Sequence, residues 1–269
     1  MTPVFKTRFA PSPTGFLHLG HVYAAKCAFD GAKNAGGTCL LRIEDIDFTR
    51  CKADYLDTVV EDLTWLGFEW PEPVRIQSQH RDTYDDVIAN LQTRGLLYRC
   101  FKTRKERPQG LYRGQPLSTD EEQHLLEIHT PFAWRLSIER CMDTVSTPLR
   151  YEELGIESGI KAVRLDSLSD EVLARKDIGT SYHIACCHDD ALQNITHVIR
   201  GQDIAEQTPL HCLLQHLMGW PTPYYHHHEL LKNADGNKLS KRKPLKRLAL
   251  LEILIQTIKL KIVITYRRI

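Results

Sequence analysis

The chain has 269 residues, of which 42% are hydrophobic and 26% are charged, a composition typical of globular proteins with a sizeable core. Lysine and arginine number 35 against 34 acidic residues, so no overall charge draws the protein to nucleic acid, and any RNA contact must come from local basic patches. The absence of a leader and of a bilayer-length apolar run, with eight cysteines at no framework spacing, predicts a cytoplasmic protein with free thiols.

A strand, a proline-rich turn and a helix open the predicted fold. The apolar run around Phe5 predicts the strand, and residues 22–33 have the apolar spacing of a helix. Between them lies Arg8-Phe-Ala-Pro-Ser-Pro-Thr-Gly-Phe-Leu-His18-Leu-Gly-His21, in the kind of turn where open parallel sheets bind ligands. We expect the helix to begin near His18, so that its free N–H groups and positive dipole end favour phosphate.

Two histidines in this turn are candidate phosphate ligands. His18 and His21 lie three residues apart, on one face of the predicted helix. Gly20, which has no side chain, would let a flat base or a backbone approach the first turn. The tetrapeptide alone is a weak signal, and ordinary histidines on a helix surface are the alternative.

The next elements predict a buried strand, a helix and a more polar segment. Residues 38–43 predict a parallel strand that ends at Glu44, where a carboxylate would face the ligand crevice or form a solvated acidic turn. Residues 52–66 predict an amphipathic helix. Helical patterns recur at residues 80–94 and after Ser118, which has the spacing of a capping box with Glu121.

The polar segment contains a basic stretch, and the chain then returns to an α/β pattern. Residues 99–107 hold five lysines or arginines beside Tyr98, Phe101 and Tyr112, which suits an RNA surface or a solvated loop. The later elements are a helix whose Cys186 and Cys187 we expect to be buried, a strand that closes with Arg200, a helix over residues 209–217, and the histidines 226–228. Consecutive histidines on a strand point to opposite faces, so a metal site there is not predicted.

The loop over residues 235–242 supplies a second signature. It reads Asp-Gly-Asn-Lys238-Leu-Ser240-Lys241-Arg242, within a basic stretch that suits either a triphosphate clamp or a general RNA patch. The two signatures together resemble the His-Ile-Gly-His and Lys-Met-Ser-Lys-Ser motifs of class I aminoacyl-tRNA synthetases. The segment from Arg8 to Gly15 resembles the glutamyl branch of that family. The resemblance covers residues 4–243.

The resemblance implies an α/β fold with a Rossmann-like parallel sheet and an inserted α+β subdomain. It implies a catalytic domain of residues 1–70 plus 171–232, an acceptor-binding-like insert of residues 71–170, and a signature loop with a divergent tail over residues 233–269. Many family members hold zinc in the insert through Cys-x-Cys and Tyr-x-x-x-Cys. Here Cys100 and Tyr112 remain, but Lys102 and Pro116 offer no ligand, so we expect the zinc site to be lost.

The reaction that the resemblance implies is activation of L-glutamate by ATP with Mg²⁺. The implied catalytic residues are His18, His21 and Lys241, and the implied ATP-binding residues are His18, Gly20, His21, Lys238, Ser240 and Lys241. The implied glutamate-binding residues are Arg8, Phe9, Ala10, Pro11, Ser12, Glu44, Tyr182 and Arg200, with Glu44 on the ammonium group. Which arginine meets which carboxylate stays open, and a salt bridge is the alternative for Arg200.

The length of the chain distinguishes branches of the family. A full glutamyl enzyme continues beyond the signature loop to an anticodon-binding domain, whereas this chain ends soon after it. The short form resembles the glutamyl-queuosine tRNA(Asp) synthetases, which place glutamate on queuosine at the wobble position. We therefore expect L-glutamate and the anticodon stem-loop of tRNA(Asp) as partners of a monomer. A truncated conventional synthetase and a non-catalytic tRNA-binding or amino-acid-binding paralogue are the alternatives.

Overall fold

A computed structural model describes residues 4–231. The strands in this range are β1 (Lys6–Phe9), β2 (Thr38–Ile43), β3 (Arg75–Ile76), β4 (Leu97–Cys100), β5 (Ala133–Leu136), β6 (Arg150–Glu153), β7 (Gly159–Ala162), β8 (Val172–Ala174), β9 (His197–Gly201) and β10 (Tyr224–His228). The helices are α1 (Leu19–Asn34), α2 (Ala53–Trp65), α3 (Arg81–Thr93), α4 (Thr119–Glu127), α5 (Ile138–Thr144), α6 (Tyr182–Leu192) and α7 (Thr208–Met218).

The main sheet is largely parallel and confirms the predicted α/β class. Strands β1, β2 and β3 pair in parallel, and so do β9, β10 and β6, with β7 antiparallel at the edge. The two groups meet between β1 and β9, because the Thr196 N–H donates to the carbonyl of Lys6 at 2.9 Å. The carboxyl ends of β1 and β2 lie side by side, as do those of β9 and β10, and these strand ends, here called the ligand edge, are where parallel sheets bind ligands.

Small side chains allow α1 to pack closely on this sheet. Ala25, Ala28 and Ala32 are buried against the apolar face that includes Leu41 and Ile43. The chain turns back into β2 at Gly37, where any side chain would collide with the main chain of Phe5. This close approach fixes the register of β2 beside β1, so Glu44 follows β2 at the ligand edge.

A smaller antiparallel sheet of β4, β5 and β8 forms the second layer. The buried carboxylate of Asp170 organises it by accepting from the Tyr98 hydroxyl at 2.9 Å, the Gly114 N–H at 2.8 Å and the Ile138 N–H at 3.0 Å. The predicted capping box is confirmed at the start of α4, where the Glu121 N–H donates to the Ser118 hydroxyl at 3.3 Å.

Sheet membership differs from the predicted division of the chain. Strands β6 and β7 lie within the predicted insert of residues 71–170, yet they pair in the main sheet beside β10. Strand β8 lies in the predicted catalytic range, yet it pairs with β5 in the small sheet. The chain returns to the main sheet before it completes the small one, and hydropathy does not reveal that order. The domain boundaries themselves stay a prediction.

The local predictions are otherwise confirmed. Helices α2, α3 and α7 occupy the predicted ranges, and α1 begins immediately after His18. Cys186 and Cys187 are buried in α6, and all eight cysteines are free thiols. None of the helices within residues 4–231 is long and apolar enough to cross a membrane.

Several histidines are buried in this fold without an acidic partner. His197 lies between the rings of Phe5 and Tyr224, with centroid distances of 3.9 and 5.0 Å. Burial lowers the pKa of His197 to about 4 and that of His183 to about 4. Burial also holds the pKa of His211 well below its ordinary value.

The free energy of unfolding is expected to fall as the pH is lowered from 7 towards 4. In the unfolded chain these histidines titrate near pH 6.5, so between about pH 6.5 and 4 the unfolded state binds more protons and is favoured. Each histidine contributes a slope of up to about 1.4 kcal/mol per pH unit. Glu44, whose pKa burial raises, acts in the opposite direction.

Urea denaturation of wild type, His197→Gln and the control His124→Gln at pH 7, 6 and 5 measures this slope. His197→Gln should reduce it, whereas His124, which is exposed on α4, can be replaced without changing it. Equal slopes in all three proteins would contradict the prediction.

Candidate functional site

A cavity of about 280 Å³ lies at the ligand edge of the main sheet. Its lining comes from the turns after β1 and β2, the residues after β3 and the start of α6, and includes Ser12, Glu44, Gln77, Ser181, Tyr182 and His183. A larger and more open hollow of about 680 Å³ lies between α3 and β5, but it is lined by none of the predicted site residues that fall within residues 4–231. We therefore place the candidate site in the smaller cavity, where charged side chains meet.

Glu44 is a buried carboxylate, not a member of a solvated turn. Its N–H donates to the carbonyl of Pro11 at 3.0 Å, which ties the end of β2 to the turn after β1. Its side chain accepts from Arg42 Nη2 at 3.1 Å. Burial raises the pKa of Glu44 although Arg42 acts in the opposite direction. A cationic group entering the cavity would offset this cost of burial.

Arg8 is held by a carboxylate that sequence analysis did not single out. Its Nε lies 2.9 Å from Asp190 Oδ1 and its Nη2 lies 3.4 Å from Asp190 Oδ2, while Arg42 Nη1 lies 2.8 Å from Asp190 Oδ1. Arg8 and Arg42 together hold the pKa of Asp190 below its usual value, against the effect of burial. The signals in the sequence were an arginine inside an apolar strand and an aspartate inside an apolar helix.

Arg200 is buried, and its side-chain hydrogen-bond partners within residues 4–231 are a hydroxyl and two imidazoles. Its Nε donates to His227 Nε2 at 3.1 Å, its Nη2 donates to the Thr208 hydroxyl at 2.7 Å, and its Nη1 lies 3.2 Å from His211 Nδ1. Within residues 4–231 it makes no ion pair with a carboxylate, so the salt-bridge alternative is not supported. A buried cation without a counter-ion is costly, and an incoming anion would offset that cost.

Tyr182 responds to the predicted charged residues, although Arg8 and Arg200 do not themselves line the cavity. It is the first residue of α6, it lines the cavity, and burial raises its pKa well above the ordinary value. Glu44 raises that pKa further, whereas Arg8 and Arg200 lower it, so all three charges act on the same phenol. The phenol is therefore neutral at ordinary pH and can donate a hydrogen bond to a ligand.

The remaining predicted glutamate-binding residues differ in what they offer. Ser12 lines the cavity, whereas Phe9 packs its ring in the core with Leu17 and Ile199, so any contact of Phe9 with a ligand would come from its backbone. Pro11 contributes the carbonyl that fixes Glu44. Ala10 is half-buried in the turn between them. These four residues are uncharged, so they contribute to the shape of the site and not to its charge.

His18 and His21 form the cap of α1. His18 Nδ1 accepts the Gly20 N–H at 3.1 Å, and the His18 N–H donates to His21 Nδ1 at 3.3 Å. The rings stack with centroids 3.8 Å apart. Because both Nδ1 atoms accept, the neutral rings carry their protons on Nε2, as donors suited to phosphate oxygens. A Cβ at Gly20 would lie 3.0 Å from the His18 ring, so the glycine makes room for His18, and the approach of a base or a backbone stays a prediction.

The basic stretch and the zinc remnant lie in the small-sheet layer. Arg99 pairs with Glu122 at 3.0 Å and packs over Trp134 at 4.6 Å, whereas Lys102, Arg104 and Lys105 are exposed. Cys100 Sγ lies 3.6 Å from the Tyr112 hydroxyl. In the part of the chain that the structure describes, no three His, Cys, Asp or Glu side chains group as metal ligands. Loss of the zinc site stays a prediction, and Lys238, Ser240 and Lys241 lie outside the described residues.

Comparison with known proteins agrees with this geometry. A family model described as tRNA synthetases class I (E and Q), catalytic domain, matches residues 4–251. A relative named glutamyl-Q tRNA(Asp) synthetase from Rhodobacter capsulatus is 41% identical over 251 residues, which cover 88% of this chain and 90% of the relative. A relative named glutamate–tRNA ligase from Aquifex aeolicus is 37% identical over 250 residues, which cover 88% of this chain but 51% of the relative.

Solved structures give the same result. The crystal structure of a glutamate-tRNA synthetase from Elizabethkingia anophelis superposes with a TM-score of 0.75 at 32% identity, covering 89% of this chain and 53% of that one. By sequence and by fold, the chain therefore belongs to the family of class I tRNA synthetases for glutamate and glutamine, of which it carries the catalytic domain.

Proposed function

We propose that the protein activates L-glutamate with ATP and transfers it to queuosine at the wobble position of tRNA(Asp). The family membership makes the chain a ligase of the aminoacyl-tRNA synthetase type. The observation that carries the choice of glutamate is the unneutralised charge of Arg200 close to Tyr182 and the buried Glu44. In this proposal the protein acts as a monomer in the cytoplasm.

Glutamate complements the charges of the cavity. It carries one ammonium group, which Glu44 would receive, and two carboxylates, one of which would neutralise Arg200. Arg8 already shares Asp190 with Arg42, so its charge is partly offset before any ligand enters. Tyr182 and Ser12 would add hydrogen bonds from the cavity wall.

Activation needs alignment and charge stabilisation more than a base. A carboxylate oxygen of glutamate would attack the α-phosphorus of ATP, so that one P–O bond forms while the bond to the leaving pyrophosphate breaks. His18 and His21 would donate from Nε2 to the phosphates at the N-terminus of α1, beside Gly20. Lys238, Ser240 and Lys241 would hold the other phosphates. Mg²⁺ would enter with ATP, since phosphate oxygens and waters are its usual ligands.

The RNA substrate is inferred from relatives and from surface charge. The Rhodobacter capsulatus relative, nearly all of which this chain covers, is named for tRNA(Asp). The alternative, a conventional glutamate–tRNA ligase activity, is favoured by relatives of that name, of whose length the chain spans about half. Exposed Lys102, Arg104 and Lys105 offer phosphate contacts to either RNA, and such contacts weaken as salt is added.

Glutamate should be activated in preference to glutamine, and Arg200 should set that preference. Exchanging a carboxylate for a neutral amide leaves the guanidinium without its counter-ion, at a cost of roughly 1–3 kcal/mol, or about 5- to 150-fold. Amino-acid-dependent ATP–pyrophosphate exchange measures the ratio. Arg200→Gln should raise the KM for glutamate and bring the ratio towards one, whereas the control Arg164→Gln, on an exposed turn before β8, should keep the wild-type ratio. Equal activation of both amino acids by the wild type would rule out the assignment.

Transfer should depend on queuosine. Labelled glutamate is offered with tRNA(Asp) that carries either queuosine or unmodified guanosine at the wobble position, and with tRNA(Glu). We expect label on the queuosine-containing tRNA(Asp) alone, because its diol supplies the hydroxyl that attacks glutamyl-adenylate. Label on the 3′ end of tRNA(Glu) would support the alternative activity instead.

A further inference from the structure

Glu153 is the last residue of β6, and the side chain of His227 separates it from Arg200. It is buried, with 3% of its surface exposed. One carboxylate oxygen accepts the His227 N–H at 2.9 Å and the Gly155 N–H at 2.8 Å, and the other bonds to His227 Nδ1. These bonds lower the pKa of Glu153 although burial alone would raise it. Glu153 is therefore a rigid, ionised acceptor.

This carboxylate fixes the proton on His227. An ionised carboxylate can only accept, so His227 Nδ1 must carry the hydrogen. On the other side of the ring, Arg200 Nε can only donate, so His227 Nε2 must offer a lone pair across 3.1 Å. A proton on Nε2 would face the N–H of Arg200 and break the contact.

The His227 imidazole orients the guanidinium of Arg200 without forming an ion pair with it. A carboxylate in direct contact would form an ion pair, as Asp190 does with Arg8, and would offset the charge that a substrate needs. With His227 between them, Glu153 fixes one edge of the guanidinium, and Thr208 and His211 fix its two Nη atoms. The plane of Arg200 is thus held by a hydroxyl and two imidazoles, with no carboxylate in direct contact.

We propose that Glu153, acting through His227, is a positioning residue that holds Arg200 ready for a carboxylate of the amino-acid substrate. Neither Glu153 nor Arg200 lines the cavity, but Arg200 acts on the phenol of Tyr182, which does. Glu153 would therefore act on the substrate only through Arg200. This inference rests on the proposed function in one respect, namely that Arg200 meets glutamate.

Glu153→Gln tests the role with a nearly isosteric change. The introduced amide oxygen can still accept the two main-chain N–H groups, but the amide N–H₂ then faces His227 Nδ1 and favours the ring form with the proton on Nε2. Arg200 would lose its acceptor, and we expect the KM for glutamate to rise about tenfold or more. The KM for ATP should change less than about twofold, because the phosphates contact other residues.

Glu152→Gln is the matched control. It is the same substitution on the neighbouring residue of β6, whose side chain points to the opposite face of the strand. It should leave both KM values as in the wild type. Equal rises of both KM values in Glu153→Gln, or no rise, would overturn the proposal. If Glu153→Gln does not fold, Glu153→Asp is tested in its place, because the shorter side chain withdraws the carboxylate from His227. A folded Glu153→Asp protein with an unchanged KM for glutamate would also overturn the proposal.

The tautomer of His227 can be read without any activity. Ring ¹⁵N chemical shifts of histidine-labelled protein, assigned with His227→Gln, distinguish protonation at Nδ1 from protonation at Nε2. We expect Nδ1–H in the wild type and Nε2–H in Glu153→Gln. A wild type with the proton on Nε2 overturns the positioning role even in an active enzyme. Wild-type protein that activates no glutamate but shows Nδ1–H would refute the proposed function and leave the role of Glu153 intact.

Discussion

Arg200 places a buried positive charge near the end of β9. Within the described residues, its side-chain hydrogen-bond partners are a hydroxyl and two imidazoles. Such a charge is expensive to bury, and the fold tolerates it because three rigid acceptors share the guanidinium. The result is a cation in a fixed orientation whose charge is left for a ligand. The character of the cavity follows from this arrangement.

The buried arginines near the candidate site have two different kinds of partner. Asp190 pairs with both Arg8 and Arg42, and Arg42 also pairs with Glu44, so two guanidinium groups and two carboxylates form one network. Arg200 stands outside it. Both arrangements act on the phenol of Tyr182, one through the carboxylate of Glu44 and the other through the cation of Arg200. In the proposed function, glutamate would offer its ammonium group to the first and a carboxylate to the second, with its other carboxylate left to be activated.

Much of the local structure could be predicted from the sequence. Apolar periodicity located α2 and α3, the spacing of Ser118 and Glu121 predicted a cap, and the histidine signature placed the start of α1. The resemblance to a family identified Glu44, Tyr182 and Arg200, which the fold brings together. The confirmed helices and cap rest on short-range patterns, whereas the glutamate-binding role of the three residues stays a prediction.

The supporting partners could not be predicted, because they come from distant parts of the chain. Arg8 and Asp190 are 182 positions apart, and Glu153 and His227 are 74 apart. His227 sits in a run of three histidines that invites comparison with a metal site, and only the pairing of β6 with β10 shows what it contacts. The same pairing explains why a strand from the predicted insert supports the main sheet.

The most direct test of this account is a crystal structure with a non-hydrolysable glutamyl-adenylate analogue. The account predicts that a carboxylate oxygen of the analogue lies within hydrogen-bond distance of an Arg200 Nη atom and its ammonium group within that distance of Glu44, while Asp190 stays on Arg8 and Arg42. An analogue bound with Arg200 unoccupied, or with its glutamyl group outside the cavity beside Tyr182, would contradict the central claim.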